Sequence, residues 1–181
     1  AAMQRTAQAR NRTVVERLNT FLGQVRLDFD RDVLPLTPSA NPTERHIILA
    51  YQQASERMLG VAVDGFWAGI LETTEELVRE LRSRKPQDFQ EQLRLKLVKS
   101  GGPGYIKPEA RDFPLFDDVV AMTRAANGIP VGTWLDGTSP GEENPEELVA
   151  LFAAKGIEAV TIIPERNWNI RNPQEKEKKV A

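Results

Sequence analysis

The sequence predicts a helix-rich α/β protein, in which a helical N-terminal region precedes a partial, parallel β/α-barrel-like segment. Apolar residues recur at three- and four-residue spacing over residues 3–24, as in a helix with one buried face, and helix start and stop signals follow through residue 100. Two short apolar runs, 129–135 and 157–163, flank a segment with helical signals, and this order predicts two parallel strands. We therefore expect a mainly helical region to residue 100, a barrel-like segment over 101–170, and a polar tail or truncated helix over 171–181.

The first predicted helix covers residues 3–24 and is followed by an extended segment. Its apolar positions follow the helical period: Val14, Val15, Leu18, Phe21, Leu22 and Val25. Residues 25–30 alternate apolar and charged side chains, which predicts a short strand with one buried face. Pro35 and Pro38 then predict a non-helical connection.

The second predicted helix has a clear start signal. Asn41 is placed to cap residues 42–58, Pro42 suits the first helical position, and Glu44 can reach back to the cap amide. Gly60 is expected to end this helix. Three further helices are predicted: one over 61–71, one opened by Thr73 or Thr74 and ending near 83, and one capped by Asp88 and ending near 99.

The C-terminal part repeats the same helix-start signal around the two predicted strands. Residues 101–105 form a glycine-rich loop, and Pro114 begins a helix that Gly128 ends. The pattern Asn-Pro-x-Glu recurs at 144–147, and a related Asn-Pro-Gln-Glu run stands at 172–175. The last of these opens a helix that has little sequence left, so we expect either a cut chain or a disordered charged tail.

The composition excludes several kinds of partner and site. The chain has 181 residues, and its 24 Lys+Arg against 26 Asp+Glu give a net charge of -2. This balance offers no electrostatic footprint for nucleic acid or acidic membranes, so we expect neither as a partner. No apolar run approaches the roughly 20 residues of a membrane-spanning helix. The absence of cysteine excludes disulfides and thiolate sites and fits the predicted cytoplasmic location.

Four segments together carry a resemblance to a known family: residues 36–46, 96–105, 134–139 and 162–169. They resemble a branch of the PHP superfamily, the polymerase-and-histidinol-phosphatase-like metal-dependent phosphoesterases. The resemblance implies a distorted β/α barrel that hydrolyses phosphate esters with a divalent metal, zinc or manganese. The superfamily's His-x-His and Asp-x-His metal pairs do not occur here. The chain therefore resembles an internal fragment, carries no assignable metal ligand, and is not expected to hydrolyse esters by itself.

The residues after the two predicted strands are the candidate catalytic groups. In parallel α/β folds, sites lie beyond the carboxyl ends of the strands. Asp136 follows the first strand and could act as a metal ligand or general base, or it could form a turn with Gly137. Glu165, Arg166 and Asn167 follow the second strand. They could bind an anionic ligand, with Arg166 gripping phosphate, or Glu165 and Arg166 could form a structural pair.

Three further residues in the helical region could bind the substrate. Arg45 and His46 lie in the first turns of a predicted helix, where the helix dipole favours an anion. The alternative is a solvated Arg45 and a packed His46, which is the only histidine of the chain. Lys99 precedes a glycine-rich loop with exposed amides, as in some phosphate sites. The alternative is that Lys99 and the glycines simply end a helix.

The favoured function is part of a PHP-like metal-dependent hydrolase acting on a phosphorylated small molecule. A second hypothesis is a non-catalytic binding or assembly module, with self-association or a partner chain that completes the fold. A third is a metal-free barrel enzyme that uses Glu165 as a base.

Overall fold

Seven α-helices and two short strands make up the regular structure of the described residues. A computed structural model describes residues 2–135, 137 and 139–161, apart from the side chains of Ala2 and Arg111. The elements are α1 (Ala2–Leu22), α2 (Glu44–Leu59), α3 (Val63–Leu71), α4 (Glu75–Arg84), α5 (Pro86–Val98), α6 (Phe116–Ala125), β1 (Val131–Thr133), α7 (Pro145–Ala154) and β2 (Ala159–Thr161). The chain divides into two compact units, the first ending at Phe113 and the second beginning at Pro114.

Helices α1 to α5 of the first unit share one apolar core. Its largest fully buried side chains are Trp67, Tyr51, Phe89, Leu18, Ile47, Ile48, Leu93 and Leu97. These residues come from α1, α2, α3 and α5, so each helix turns one apolar stripe inward. The helix-rich character predicted for this region is therefore confirmed, although Phe21 of the predicted α1 stripe is 49% exposed and Val25 lies beyond the end of α1.

The predicted strand over residues 25–30 is wrong. The alternation behind it is real, since three apolar side chains are buried: Val25, Leu27 and Phe29. No strand pairs with this segment among the described residues. Instead, the side-chain amide of Asn19 bonds both backbone groups of Leu27, at 2.8 Å each, as a neighbouring strand would. The chain then forms a π-helical turn, Phe29–Val33.

The connection predicted to be non-helical around Pro35 and Pro38 is partly helical. A short 3-10 turn, Leu34–Leu36, contains Pro35 in its first turn. Proline is tolerated there because the first amides of a helical turn have no internal acceptor. The prediction is therefore wrong over these three residues.

The start of α2 also differs from the prediction. Its N-cap is Thr43 rather than Asn41, and Glu44 is the first helical residue. The Nδ1 atom of His46 accepts the backbone N–H of Thr43 at 3.1 Å. His46 thus takes the reach-back role predicted for Glu44, whose carboxylate is used elsewhere.

Helix α5 begins three residues earlier than predicted. Pro86 occupies its first turn, and Lys85 is the N-cap, so Asp88 lies inside the helix. Proline suits the first helical position because its fixed φ angle is already helical. Helix α4 begins where predicted, since the Thr74 side chain accepts the N–H of Leu77 at 3.3 Å.

In the second unit, β1 and β2 pair in parallel, as predicted. Val131 lies opposite Ala159, and Gly132 lies opposite Val160. Helix α7 connects the strands, and Asn144 caps it by accepting the N–H of Glu147, again as predicted. A small core holds this unit together: Val120, Phe152 and Ile157, with Leu148 packed against them.

The described residues therefore form a helix-rich fold with one small parallel sheet of two strands. Two paired strands do not by themselves make the partial β/α barrel that the sequence predicts. The tail or helix predicted for residues 171–181 lies outside the described residues. Within the described part of the chain, no helix combines the length and apolar character needed to cross a membrane.

Candidate anion-binding site

The structure brings together three of the seven residues that the sequence singles out. Arg45 and His46 lie in the first turn of α2, and Lys99 follows the end of α5. The Lys99 Nζ atom lies 2.8 Å from the carboxylate of Glu44, so all three surround the start of α2. The other four predicted site residues lie outside the described residues: Asp136, Glu165, Arg166 and Asn167.

Charged side chains from α1, α2 and α5 form a connected group here, which we call the ion cluster. Its members are Arg10, Glu44, Arg45, Glu91, Arg94 and Lys99. Three cations converge on Glu44: Lys99 at 2.8 Å, Arg94 at 3.2 Å and Arg10 at 4.0 Å. Since the Glu44 carboxylate carries a single negative charge, it cannot by itself neutralise three cations.

The second carboxylate of the ion cluster, Glu91, is shared in the same way. Arg94 holds it from one turn further along α5, and the Nη2 atom of Arg45 lies 3.1 Å from it. The ion cluster therefore contains four cations and two carboxylates, an excess of two positive charges. The amino end of α2 adds the positive end of a helix dipole.

The electrostatics of the two carboxylates follow from these contacts. Partial burial by itself raises the pKa of Glu44, but hydrogen bonds and charges from Lys99 and Arg94 together outweigh it and leave the pKa below its ordinary value. The pKa of Glu91 is also lowered, chiefly by its hydrogen bond with Arg94. Both groups therefore stay ionised to lower pH in the folded chain than in the unfolded one.

We expect acidification to destabilise the first unit through this site. The ordinary pKa of Glu44, which applies in the unfolded chain, is 4.5, and folding lowers it. Glu44 therefore stabilises the folded chain at pH values above 4.5. This stabilisation is lost as the pH falls through the folded-state pKa. Thermal unfolding followed from about pH 6 to about pH 3 should show a smaller loss of Tm for Glu44→Gln than for the natural chain. Glu16→Gln, which changes an exposed carboxylate on α1, is the matched control. Equal pH dependence in all three proteins would contradict the role assigned to Glu44.

His46 serves the helix start rather than the ion cluster. Its Nδ1 atom accepts the N–H of Thr43 and lies 2.9 Å from the Thr43 hydroxyl oxygen. Nδ1 is thus committed to the cap, and only Nε2 is left for another partner. The sequence analysis predicted that His46 either binds an anion or packs against its neighbours. It did not predict the capping role.

The loop after Lys99 ends α5. Of the two interpretations of Lys99 and its glycines, a phosphate site or a helix end, the loop glycines follow the second. Gly101 has a φ of +90°, which favours glycine. The amide of Gly102 donates to Lys99, and the amide of Gly104 donates to Leu97, both at 2.8 Å. These two donors are therefore unavailable to a phosphate, and the Lys99 ammonium group is the part of this segment that joins the ion cluster.

Sequence reasoning missed four members of the ion cluster: Arg10, Glu91, Arg94 and Glu44, the last of which was assigned only a capping role. One signal was present, because Glu91 and Arg94 stand three residues apart on a predicted helix, a spacing that allows an ion pair. Arg10 had no local signal. Within the described part of the chain, its buried Nε atom makes no hydrogen bond.

The described residues do not supply a metal site. Within residues 2–135, 137 and 139–161, no three histidine or acidic side chains come together in a way that could hold an ion. Comparisons of the chain with protein-family models, with curated proteins and with solved structures found no match. The resemblance to the PHP superfamily accordingly stays a prediction.

Proposed function

We propose that this chain binds the phosphate group of a phosphorylated small molecule at the ion cluster, as part of a PHP-like hydrolase. The observation that supports this most directly is the excess of two positive charges around the amino end of α2. A phosphate monoester carries a matching charge near neutral pH. Guanidinium groups suit its oxygens because they donate two parallel hydrogen bonds.

The accessible members of the ion cluster define where the anion would enter. The side chains of Arg45 and Lys99 are 55% and 41% exposed, whereas that of Arg94 is 19% exposed. Arg45 and Lys99 would therefore meet the phosphate first, with Arg94 behind them.

The hydrolytic part of the proposal concerns the second unit. Parallel pairing of β1 and β2 supports a partial β/α barrel, because the carboxyl ends of parallel strands open at one edge. Asp136 and Glu165 follow these strands in the sequence and remain the candidate acids, either in a metal-dependent site or, for Glu165, as a metal-free base. The zinc or manganese implied by the resemblance finds no ligand set among the described residues, so we assign no step to it.

Phosphate binding can be tested directly with the full chain. We expect inorganic phosphate to bind in the millimolar range at low salt, as measured by calorimetry, and to bind more weakly as salt screens the charges. The double variant Arg45→Gln/Lys99→Gln should weaken binding about tenfold or more, equivalent to about 1.4 kcal/mol. Arg84→Gln is the control, since Arg84 is an exposed cation of the same unit outside the ion cluster.

Two results would contradict this assignment. One is an absence of phosphate binding to the natural chain. The other is equal weakening by Arg84→Gln and by the double variant, because binding would then depend on overall charge rather than on the ion cluster.

A second candidate function is a non-catalytic assembly module, including self-association. Apolar side chains at i, i+4 and i+7 along the start and outer side of α6 are exposed: Leu115, Val119 and Met122. Sedimentation at increasing concentration separates the two functions. A chain that self-associates but binds no phosphate would favour the assembly module.

A further inference from the structure

A groove of about 410 Å³ lies between α2, the end of α4 and the start of α5 in the first unit. Its volume falls in the range of small-molecule sites. Four glutamines line it, Gln52 and Gln53 from α2 and Gln87 and Gln90 from α5. We call it the amide groove.

The glutamine side chains are mostly uncommitted. Gln90 donates to the backbone oxygen of Arg45 at 3.3 Å. Within the described part of the chain, the amides of Gln52, Gln53 and Gln87 make no hydrogen bond to protein. Each offers two N–H donors and a carbonyl acceptor, so the amide groove can pair with groups that both donate and accept.

The charges of the amide groove cancel within the protein. Its two charged lining residues are Glu56 and Arg82, which lie 2.7 Å apart. Arg82 also bonds the buried carboxylate of Asp64, which Arg79 holds as well at 3.0 Å. A ligand group in the amide groove would therefore meet hydrogen-bonding partners without a net charge to match.

The apolar part of the groove lining restricts the class of ligand further. Phe89 lines the amide groove, but its ring is 1% exposed. A flat nucleobase would find no aromatic face to stack on, and stacking contributes much of the affinity for bases. Hydroxyl groups, which both donate and accept, suit the uncommitted amides better.

The amide groove and the ion cluster lie along the same pair of helices, α2 and α5. On α2, Arg45, Leu49, Gln52 and Glu56 follow the i, i+4, i+7, i+11 pattern of one helix face. Seven residues of helix place Arg45 about 10 Å from Gln52 along the axis. The Gln90 side chain, bonded to the Arg45 carbonyl, joins the two regions.

We propose that the amide groove binds the uncharged, polyhydroxylated body of a sugar phosphate whose phosphate occupies the ion cluster. This inference rests on the proposed phosphate site and adds the class of molecule to which the phosphate is attached. The glutamines supply paired donors and acceptors for hydroxyl groups, and the ion cluster supplies the charge.

The test compares phosphate alone with phosphate carried by a polyol. We expect at least one of glycerol 3-phosphate, ribose 5-phosphate and glucose 6-phosphate to bind the natural chain about tenfold more tightly than inorganic phosphate. The variant Gln53→Ala/Gln87→Ala should remove this advantage and leave the affinity for inorganic phosphate unchanged. Gln92→Ala is the control, because Gln92 is an exposed glutamine of α5 that does not line the amide groove.

The possible failures are distinguishable. If inorganic phosphate binds but no sugar phosphate binds more tightly, the inference is overturned and the phosphate site stands. An advantage that survives Gln53→Ala/Gln87→Ala, or tighter binding of adenosine monophosphate than of every sugar phosphate, also overturns it. If neither phosphate nor any sugar phosphate binds, both proposals fail.

Discussion

Trp67→Ala should lower the free energy of unfolding of the first unit by about 3–5 kcal/mol. The Trp67 side chain is fully buried, and its ring meets Phe66 and Phe89 edge to face, with centroids 4.8 and 6.3 Å away. Its Nε1 atom donates to the Ser55 hydroxyl at 2.9 Å. Truncation leaves a cavity, removes the aromatic contacts and takes a hydrogen bond from a buried hydroxyl.

The measurement is urea unfolding followed by far-UV circular dichroism. Trp67→Phe should cost less than Trp67→Ala, because it keeps an aromatic ring and loses mainly the indole hydrogen bond. Val61→Ala is the control, since Val61 is fully exposed and should change stability by less than about 0.5 kcal/mol. A loss of less than about 1 kcal/mol for Trp67→Ala would show that Trp67 is not the centre of this core.

Gly132→Ala should destabilise the second unit by about 1–3 kcal/mol. A Cβ atom at Gly132, in β1, would overlap the ring of Phe152, which α7 packs beneath the sheet. The ring is buried, so it cannot move aside without disturbing the small core of this unit. The absence of a side chain at Gly132 thus allows α7 to approach the two strands.

Hydrogen exchange resolved by segment is the suitable measurement, because it reports on the second unit separately from the first. Exchange in β1, α7 and β2 should accelerate in Gly132→Ala and stay unchanged in Gly141→Ala, whose added methyl group meets nothing within 4 Å. Equal protection of the amide hydrogens of these segments in Gly132→Ala and in the natural chain would contradict the packing of Phe152 against β1.

Helix predictions succeeded where local signals agree with burial. Each correct signal lies within one or two helical turns of sequence: the Thr74 and Asn144 caps, the glycine that ends α2, and the apolar spacing of α1. The predicted strand over residues 25–30 failed because burial of alternate side chains does not itself provide a partner strand. The side chain of Asn19 took that place, and nothing in the sequence near residue 25 indicated it.

The candidate site was predictable only in part. Arg45 and Lys99 were found from their positions at a helix start and a helix end, yet neither signal names the residues that they meet. Their acidic partners decide what they can bind, since Glu44 and Glu91 reduce four positive charges to an excess of two. The amide groove had no sequence signal, because glutamines on two helices are ordinary surface residues until the helices pack together.

The sequence by itself determined the helical segments and the parallel direction of β1 and β2. Apolar periodicity, capping residues and a helix placed between two apolar runs act over short stretches of chain, so they can be read locally. Only the tertiary structure decided which charges meet. Glu44 and Arg94 are 50 residues apart, and they pair because α2 and α5 pack side by side. Charge pairing at this separation depends on helix packing geometry, which no local pattern encodes.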